Sequence, residues 1–345
     1  MAERMQRVKR HSPCPVCGKP DWCGVSGDLV VCMRVADGAI REAANGGWVH
    51  VLGGATPRRP ALPEPEPEHV MIDPRVRHGI YNALLRQLPL RRHHLQQLRR
   101  RGLSEEQIGR LGYRTLPPED ERGKWSRAAL AYRTGLAAEL KPAGVPGFWI
   151  ERGPRGGRWT VDGPAGLLIP VRSTDGQIVG CQIRVDNRGP GGKYRWLSSA
   201  GTVDRERPGG TPARALPHVA RPTETQGDAI WITEGPLKAD ITALRLGCTV
   251  IAVPGVGNWR PVPGLVRELG AQRVVLAYDM DMWLNPQVML HAEQLVAALR
   301  EVRQYIPEAD AEAPIALQWA RWDGRRAKGI DDALVAGLEI ELTQL

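Results

Sequence analysis

Three carboxylates follow apolar, strand-like runs in this sequence of 345 residues: Glu234 closes AIWIT ahead of Gly235 and Pro236, and Asp279 and Asp281 close RVVLAY in the order Asp-Met-Asp. Carboxylates gathered at one sheet edge repel one another when ionised, and a cation relieves that repulsion. Hard oxygen ligands of this kind select Mg2+ or Mn2+. A further acidic pair, Asp331 and Asp332 in AKGIDDALVAG, offers one aspartate as the cap of a following helix and the other as an additional cofactor ligand, with Asp323 a weaker candidate. Lys238, on the helix after Glu234, is expected to face solvent. PGVGNW, from Pro254 to Trp259, reads equally as a tight turn or as backbone that approaches an anion.

Sulfur forms the second cluster. Four of the six cysteines, Cys14, Cys17, Cys23 and Cys32, fall within nineteen residues. A C-x2-C turn presents two thiolates to one tetrahedral ion, and Cys23 and Cys32 flank a Ser-Gly-Asp turn that brings two short strands together, so a structural Zn2+ is expected. His11 or His50 in place of Cys23 is the alternative ligand set. Arg7, Lys9, Arg10, Lys19 and Arg34, with Trp22 and Trp48, supply charge and stacking surface of the kind that single-stranded nucleic acid uses, although surface cations are more often simply solvated.

These clusters need elements to hold them. Residues 1–52 read as a zinc ribbon, and 53–71, rich in Pro and Glu, as an extended linker. From Pro74 to Leu111 apolar residues recur at helical spacing, with Ser104 as a helix start. From Trp125 to Ser199 the runs turn short and β-like, and GLLIPVR and QIVGCQIRV, joined by Ser-Thr-Asp-Gly, form a hairpin. Residues 72–226 are thus a basic, mixed α+β part. From residue 227 to 345 strands and helices alternate, which predicts a parallel sheet with helices on its faces and ligands at the carboxyl ends of its strands, followed by a C-terminal helical extension.

The formal net charge is +9, and of 47 cationic side chains only seven are lysine. Arginine suits phosphate and carboxylate, so a polyanionic partner is plausible. No run reaches the length of a membrane span and the N-terminus lacks the apolar core of a secretory signal, so no membrane partner and a cytoplasmic location are expected.

Taken together, the sequence resembles the bacterial DnaG-type primases. Glu234-Gly235 and Asp279-Met280-Asp281 are similar to the acidic pattern of a TOPRIM domain, and LQQLRRRGLSEEQIGRLGYRTLP to the helical lead-in of that catalytic core. GLLIPVRSTDGQIVGCQIRV followed by KYRWLSSAGT is similar to the stretch that carries the family's basic active-site positions, here Arg184 and Lys193. The resemblance implies an α/β fold of zinc ribbon, mixed α+β subdomain and TOPRIM (Rossmann-like parallel sheet) domain. It also implies RNA primer synthesis from NTPs on a single-stranded DNA template, with Mg2+ held by Glu234, Asp279 and Asp281. Whether Glu234 ligates metal or acts as general acid or base stays open. Met282-Trp283-Leu284-Asn285-Pro286 departs from the small residues usual after Asp-x-Asp, and no Walker-A motif is present. The closest fit is a primase of a phage, plasmid or other mobile element, serving a separate replicative helicase. A TOPRIM-class nuclease and a catalytically inactive single-strand binder are the rivals; a type IA topoisomerase has little room in this chain.

Overall fold

The computed structural model describes residues 5–43, 46–52, 72–154, 156–187, 192–201, 206–306 and 311–345. The expected linker, 53–71, lies outside them. The chain divides into two compact units, Met1–Glu68 and His69–Leu345.

The first unit is a small antiparallel sheet of β1 (Gln6–Arg7), β2 (Gly24–Ser26), β3 (Leu29–Cys32), β4 (Arg41–Glu42) and β5 (Trp48–Val51), in the order β1-β2-β3-β5-β4. Its core holds Val8, Val30, Cys14, Cys23 and Cys32. So few apolar groups do not fold a unit of this size alone, which is the physical case for a metal in it.

The second unit opens with α1 (Pro74–Gln87), α2 (Arg92–Arg100) and α3 (Glu105–Leu111). Ser104 caps α3 as expected: its side chain accepts from the Gln107 N–H, and Gln107 returns a carbonyl oxygen to the Ser104 N–H. There follow β6 (Arg114–Leu116), α4 (Arg127–Ala138), the β7 (Phe148–Gly153) and β8 (Gly156–Val161) pair, and then β9 (Gly166–Arg172), β10 (Ile178–Val185) and β11 (Tyr194–Trp196). The predicted β9–β10 hairpin forms, with Gly176 at φ 80° in its turn, and it builds the antiparallel sheet β11-β10-β9-β6.

After β12 (His218–Ala220) come β13 (Ile230–Glu234), α5 (Pro236–Leu246), β14 (Val250–Val253), α6 (Val262–Glu268), β15 (Arg273–Leu276), α7 (Pro286–Arg300), the β16 (Arg303–Ile306) and β17 (Ala311–Pro314) pair, β18 (Ala316–Arg321), α8 (Ile330–Val335) and β19 (Glu341–Gln344). The large sheet runs β12-β14-β13-β15-β18-β19; its four central strands are parallel and both edges antiparallel. One difference from expectation lies at the C-terminal end. The helix expected through EIEL stops at Val335, Gly337 takes φ 65°, and residues 341–344 pair along β18 instead.

Side-chain alternation explains the layering. Ile230, Ile232, Ile251, Val253, Val274 and Leu276 bury against α6 and α7. Trp231, Val250, Ala252 and Val275 on the other face meet α5 and α8. Helix α5 is covered on both sides, since Leu237 and Ile241 pack against Leu167 and Ile169 of the antiparallel sheet and against α2 and α3. The far face of that sheet is closed by α1 and α4. Helix α5 therefore joins the two sheets.

Candidate active site

Parallel pairing brings Glu234 and Asp279 to one edge of the sheet. Strand β13 lies between β14 and β15 with Ile232 opposite Leu276, and the Ala277 N–H donates to the Ile232 carbonyl. Both chains thus leave the sheet at the same level. Gly235, at φ 78°, turns the chain from β13 into α5, a backbone conformation that glycine adopts without strain. Pro236 takes the first helical position as expected. The Asp279 backbone amide and carboxylate both act on the Glu234 carboxyl, so the two residues are neighbours.

A cleft of about 510 Å3 opens over this edge. Glu234, Gly235, Lys238, Pro254, Gly255, Asp279, Lys328, Asp331 and Asp332 line one side, and Gln182, Lys193, Tyr194 and Trp196 of the antiparallel sheet line the other. Asp281 lies just beyond, on the rim of a larger cleft of about 950 Å3 that also contains Trp283, Arg321 and Arg326.

Cations thread the acidic cluster. Lys238, expected in solvent, is instead mostly buried and its ammonium donates to Asp279 Oδ1. Lys328 Nζ lies 2.6 Å from Asp281 Oδ2 and 3.6 Å from Asp279 Oδ2. Arg101 of the α2–α3 turn reaches Asp331 at 2.7 Å. Helix α8 is entered from Gly329 with no side-chain cap, so neither Asp331 nor Asp332 is the cap expected of one of them, and Asp331 is buried. It is 2% exposed, and its Oδ1 has no hydrogen-bond partner. Gly329 leaves room for this packing: a Cβ there would fall 2.6 Å from Asp331 Oδ1 and 3.1 Å from Lys238 Cε.

The electrostatics follow from burial beside like charge. The Glu234 carboxyl is pushed above its usual range by burial and by Asp279, against the opposing pull of Lys238. Burial likewise raises Asp331. For Lys238, burial works against its charge, but Asp279 and Glu234 outweigh it and hold the ammonium more strongly protonated than usual. Lys328 is raised chiefly by its bond to Asp281. The carboxylates of the cluster are thus offset by three cations, with Lys238 enclosed, Arg101 partly exposed and Lys328 largely exposed.

The two basic residues singled out in the hairpin part company. Lys193 lines the cleft, with its ammonium 5.4 Å from the Tyr194 ring. Arg184 pairs opposite Tyr194, but its guanidinium bonds Gln97 of α2. Gln182, on the same face of β10, lines the cleft instead. Helix α2 is anchored beside Arg184 by His94, whose ring lies 2.8 Å from both Thr115 Oγ1 and Asp186 Oδ1. Thr115 also accepts the Arg91 N–H. Burial lowers the pKa of His94, against the opposing pull of Asp186. Gly255, at φ 91°, places the PGVGNW backbone on the cleft wall. Asp323 serves a turn, accepting the Arg325 N–H, and stands apart in the larger cleft. Trp283, in the segment that departs from the family pattern, packs edge-on to Trp319 with Arg321 over its ring at 4.0 Å.

In the first unit the ligand atoms of Cys14, Cys17, Cys23 and Cys32 lie within 4.8 Å of one another. Cys17 and Cys23 are 3.7 Å apart at sulfur, close to the ~3.8 Å edge of a tetrahedron built on Zn–S bonds of about 2.3 Å. The Met33 and Val35 N–H groups donate to Cys23 and Cys32, the peptide donors that stabilise thiolates. Burial raises the Cys17 pKa, but the Lys19 N–H and the neighbouring sulfurs prevail and leave it at about 7. The four cysteines therefore fit a structural zinc. His50 Nε2 meets the Val35 carbonyl at 2.8 Å and His11 is exposed, so neither replaces Cys23. Arg34, grouped above with the phosphate-facing cations, pairs with Asp21 at 2.7 Å. Arg7, Lys9 and His11 line a separate cleft of about 450 Å3.

Among the described residues no helix is long and apolar enough to cross a membrane. No family model and no curated protein matches the sequence. Solved structures do match. The Aquifex aeolicus primase, comprising its zinc-binding and RNA polymerase domains, is 13% identical over 76% of this chain and 62% of its own, with a TM-score of 0.50. A DNA primase domain from Pseudomonas aeruginosa is 16% identical over 76% of this chain and 75% of its own, with a TM-score of 0.51. The chain thus spans under two thirds of the Aquifex structure. At these identities the likeness is one of fold: this chain is built like the bacterial primase catalytic core.

Proposed function

We propose that the protein is a DNA primase that condenses NTPs into short RNA primers on single-stranded DNA. The observation that carries this reading is the cleft itself, where Glu234 and Asp279 on the parallel sheet face Lys193, Tyr194 and Trp196 on the antiparallel sheet. Acids that attract a divalent cation stand on one wall, and a cation with two aromatic rings, suited to phosphates and bases, stands on the other.

Glu234, Asp279 and Asp281 would hold Mg2+ or Mn2+, which when bound neutralises the triphosphate and favours attack of a 3′-oxygen on the α-phosphorus. Asp331 and Asp332 stand beside them as candidate further ligands. Lys193 would hold phosphate, Tyr194 and Trp196 would stack on bases, and Arg184 would steady the hairpin through Gln97. The basic cleft of the zinc unit would take template, with tethering raising its local concentration. A separate helicase and a mobile-element setting fit the same reading.

The test is incubation with circular single-stranded DNA, labelled NTPs and Mg2+. Primers of a few to a dozen nucleotides are expected, and their loss with Asp279→Asn. Shortened DNA without NTP consumption would point to a nuclease, and unchanged DNA affinity with no activity in either form to an inactive binder.

A further inference from the structure

A largely buried cation, Lys238, stands among the acids of the cleft. Paired metal centres hold their ions about 3.5–4 Å apart, and a carboxylate that bridges such ions gives one oxygen to each. Asp279 would be the carboxylate shared by two such ions, since it acts on Glu234 more strongly than Asp281 does and shares Lys328 with Asp281. Its Oδ1 is taken by Lys238, whose ammonium also faces Glu234 and Asp331. Its Oδ2 lies only 3.6 Å from Lys328.

The two lysines are not equivalent. Lys238 projects from the enclosed helix α5, with a side chain 17% exposed and its stem against Gly329. Lys328 is 62% exposed and can swing into solvent. The unpartnered, buried Asp331 Oδ1 lies beside Gly329 and the Lys238 stem, the oxygen a second ion would use if that ammonium were gone.

We propose that Lys238 permanently occupies the second cation position, so that the centre binds a single divalent ion, which enters by displacing Lys328 from Asp279 and Asp281. This inference rests on the reading of the cleft as a nucleotidyl-transfer centre. Lys238 then acts as a positioning residue, fixing the Asp279 carboxylate and supplying one constant positive charge. Lys328 acts as a removable plug that keeps the cluster neutralised before the ion arrives.

The experiment is an EPR-monitored Mn2+ titration of the full zinc-loaded chain, in which zinc is silent. One bound Mn2+ is expected in the wild type and none in D281N at the same concentrations. Lys328→Ala should keep one ion and bind it about 2- to 5-fold more tightly, the range of a largely exposed ion pair. Lys238→Met should bind two ions and Lys238→Arg one. Two ions in the wild type, one in a natively folded Lys238→Met, or unchanged or weaker affinity in Lys328→Ala would overturn the proposal. The Lys328 variant keeps the test decisive should Lys238→Met fail to fold. Two ions in the wild type would leave the primase reading standing, whereas none would remove the metal centre on which both rest.

Discussion

His218 Nε2 lies 3.0 Å from Asp240 Oδ1 in the buried space between the two sheets. The other ring nitrogen, Nδ1, accepts the Arg172 backbone N–H at 2.9 Å, so the ring proton must sit on Nε2 and donate to Asp240. Tyr113 donates to the second carboxylate oxygen at 2.6 Å, and burial beside Asp240 raises its phenol well above the usual range. Both oxygens are thereby satisfied. The network fastens β9, β12 and the Tyr113 segment to α5, two residues beyond Lys238.

Asp240→Ala leaves a buried imidazole N–H and a buried phenol without acceptors, and should destabilise the second unit by about 2–5 kcal/mol. Denaturant unfolding followed by tryptophan fluorescence measures it. A loss under about 0.5 kcal/mol would mean that the network is not what joins the sheets.

The raised Glu234 pKa gives a pH dependence of known sign. Between its unfolded value near 4.5 and its higher folded value, the native state binds more protons than the unfolded chain, so stability falls as pH rises through that interval. Metal-free Glu234→Gln should therefore melt at higher temperature than wild type at pH 7 to 8 and lose this component of the decline. Mn2+ should raise the wild-type melting temperature more than that of the variant. Equal melting curves for the two proteins across pH 4 to 8 would contradict the assignment.

Asp279→Asn removes charge where both the lysines and the expected cation converge. Primer synthesis should fall at least ~100-fold, the scale of losing one preorganised electrostatic contact. Single-turnover assays at saturating NTP would record it, and circular dichroism would verify the fold.

The zinc unit should melt by itself. Chelation, or Cys17→Ser, should abolish the transition of residues 1–68 and leave that of 69–345 within about 2 °C, since structural zinc supplies a large share of the folding free energy in so small a core. Calorimetry with and without chelator distinguishes this from a shared transition.

Gly329→Ala would press a methyl group against Asp331 and the Lys238 stem. Mn2+ affinity should weaken and primer synthesis should fall, while β13 to β15, packed elsewhere, keep the fold.

Much of the architecture was legible because its signals are local. Short apolar runs joined by the Ser-Thr-Asp-Gly turn marked β9 and β10, the Ser104 box marked α3, and Glu234 and Asp279 were placed at one sheet edge by the parallel-sheet rule alone. The cations were less legible. Lys238 lies in the first turn of α5, which opens at the acidic edge of the sheet directly after Glu234 and Gly235, so its direction toward the acids could have been read. Arg101 meets Asp331 across 230 residues, which no local pattern encodes. The strand at 341–344 resembles a helix in composition and becomes a strand because β18 offers it an unpaired edge.

Arginine so dominates the cations of this chain that the three lysines lining its cleft, out of seven in all, stand out as a chemical label. Amine-selective reagents would find few other targets. Lys328, half in water, would be modified in the resting protein, whereas Lys238, clasped by Asp279, would be spared. The pattern of acylation, read by mass spectrometry, would therefore report whether an ion or a nucleotide had entered.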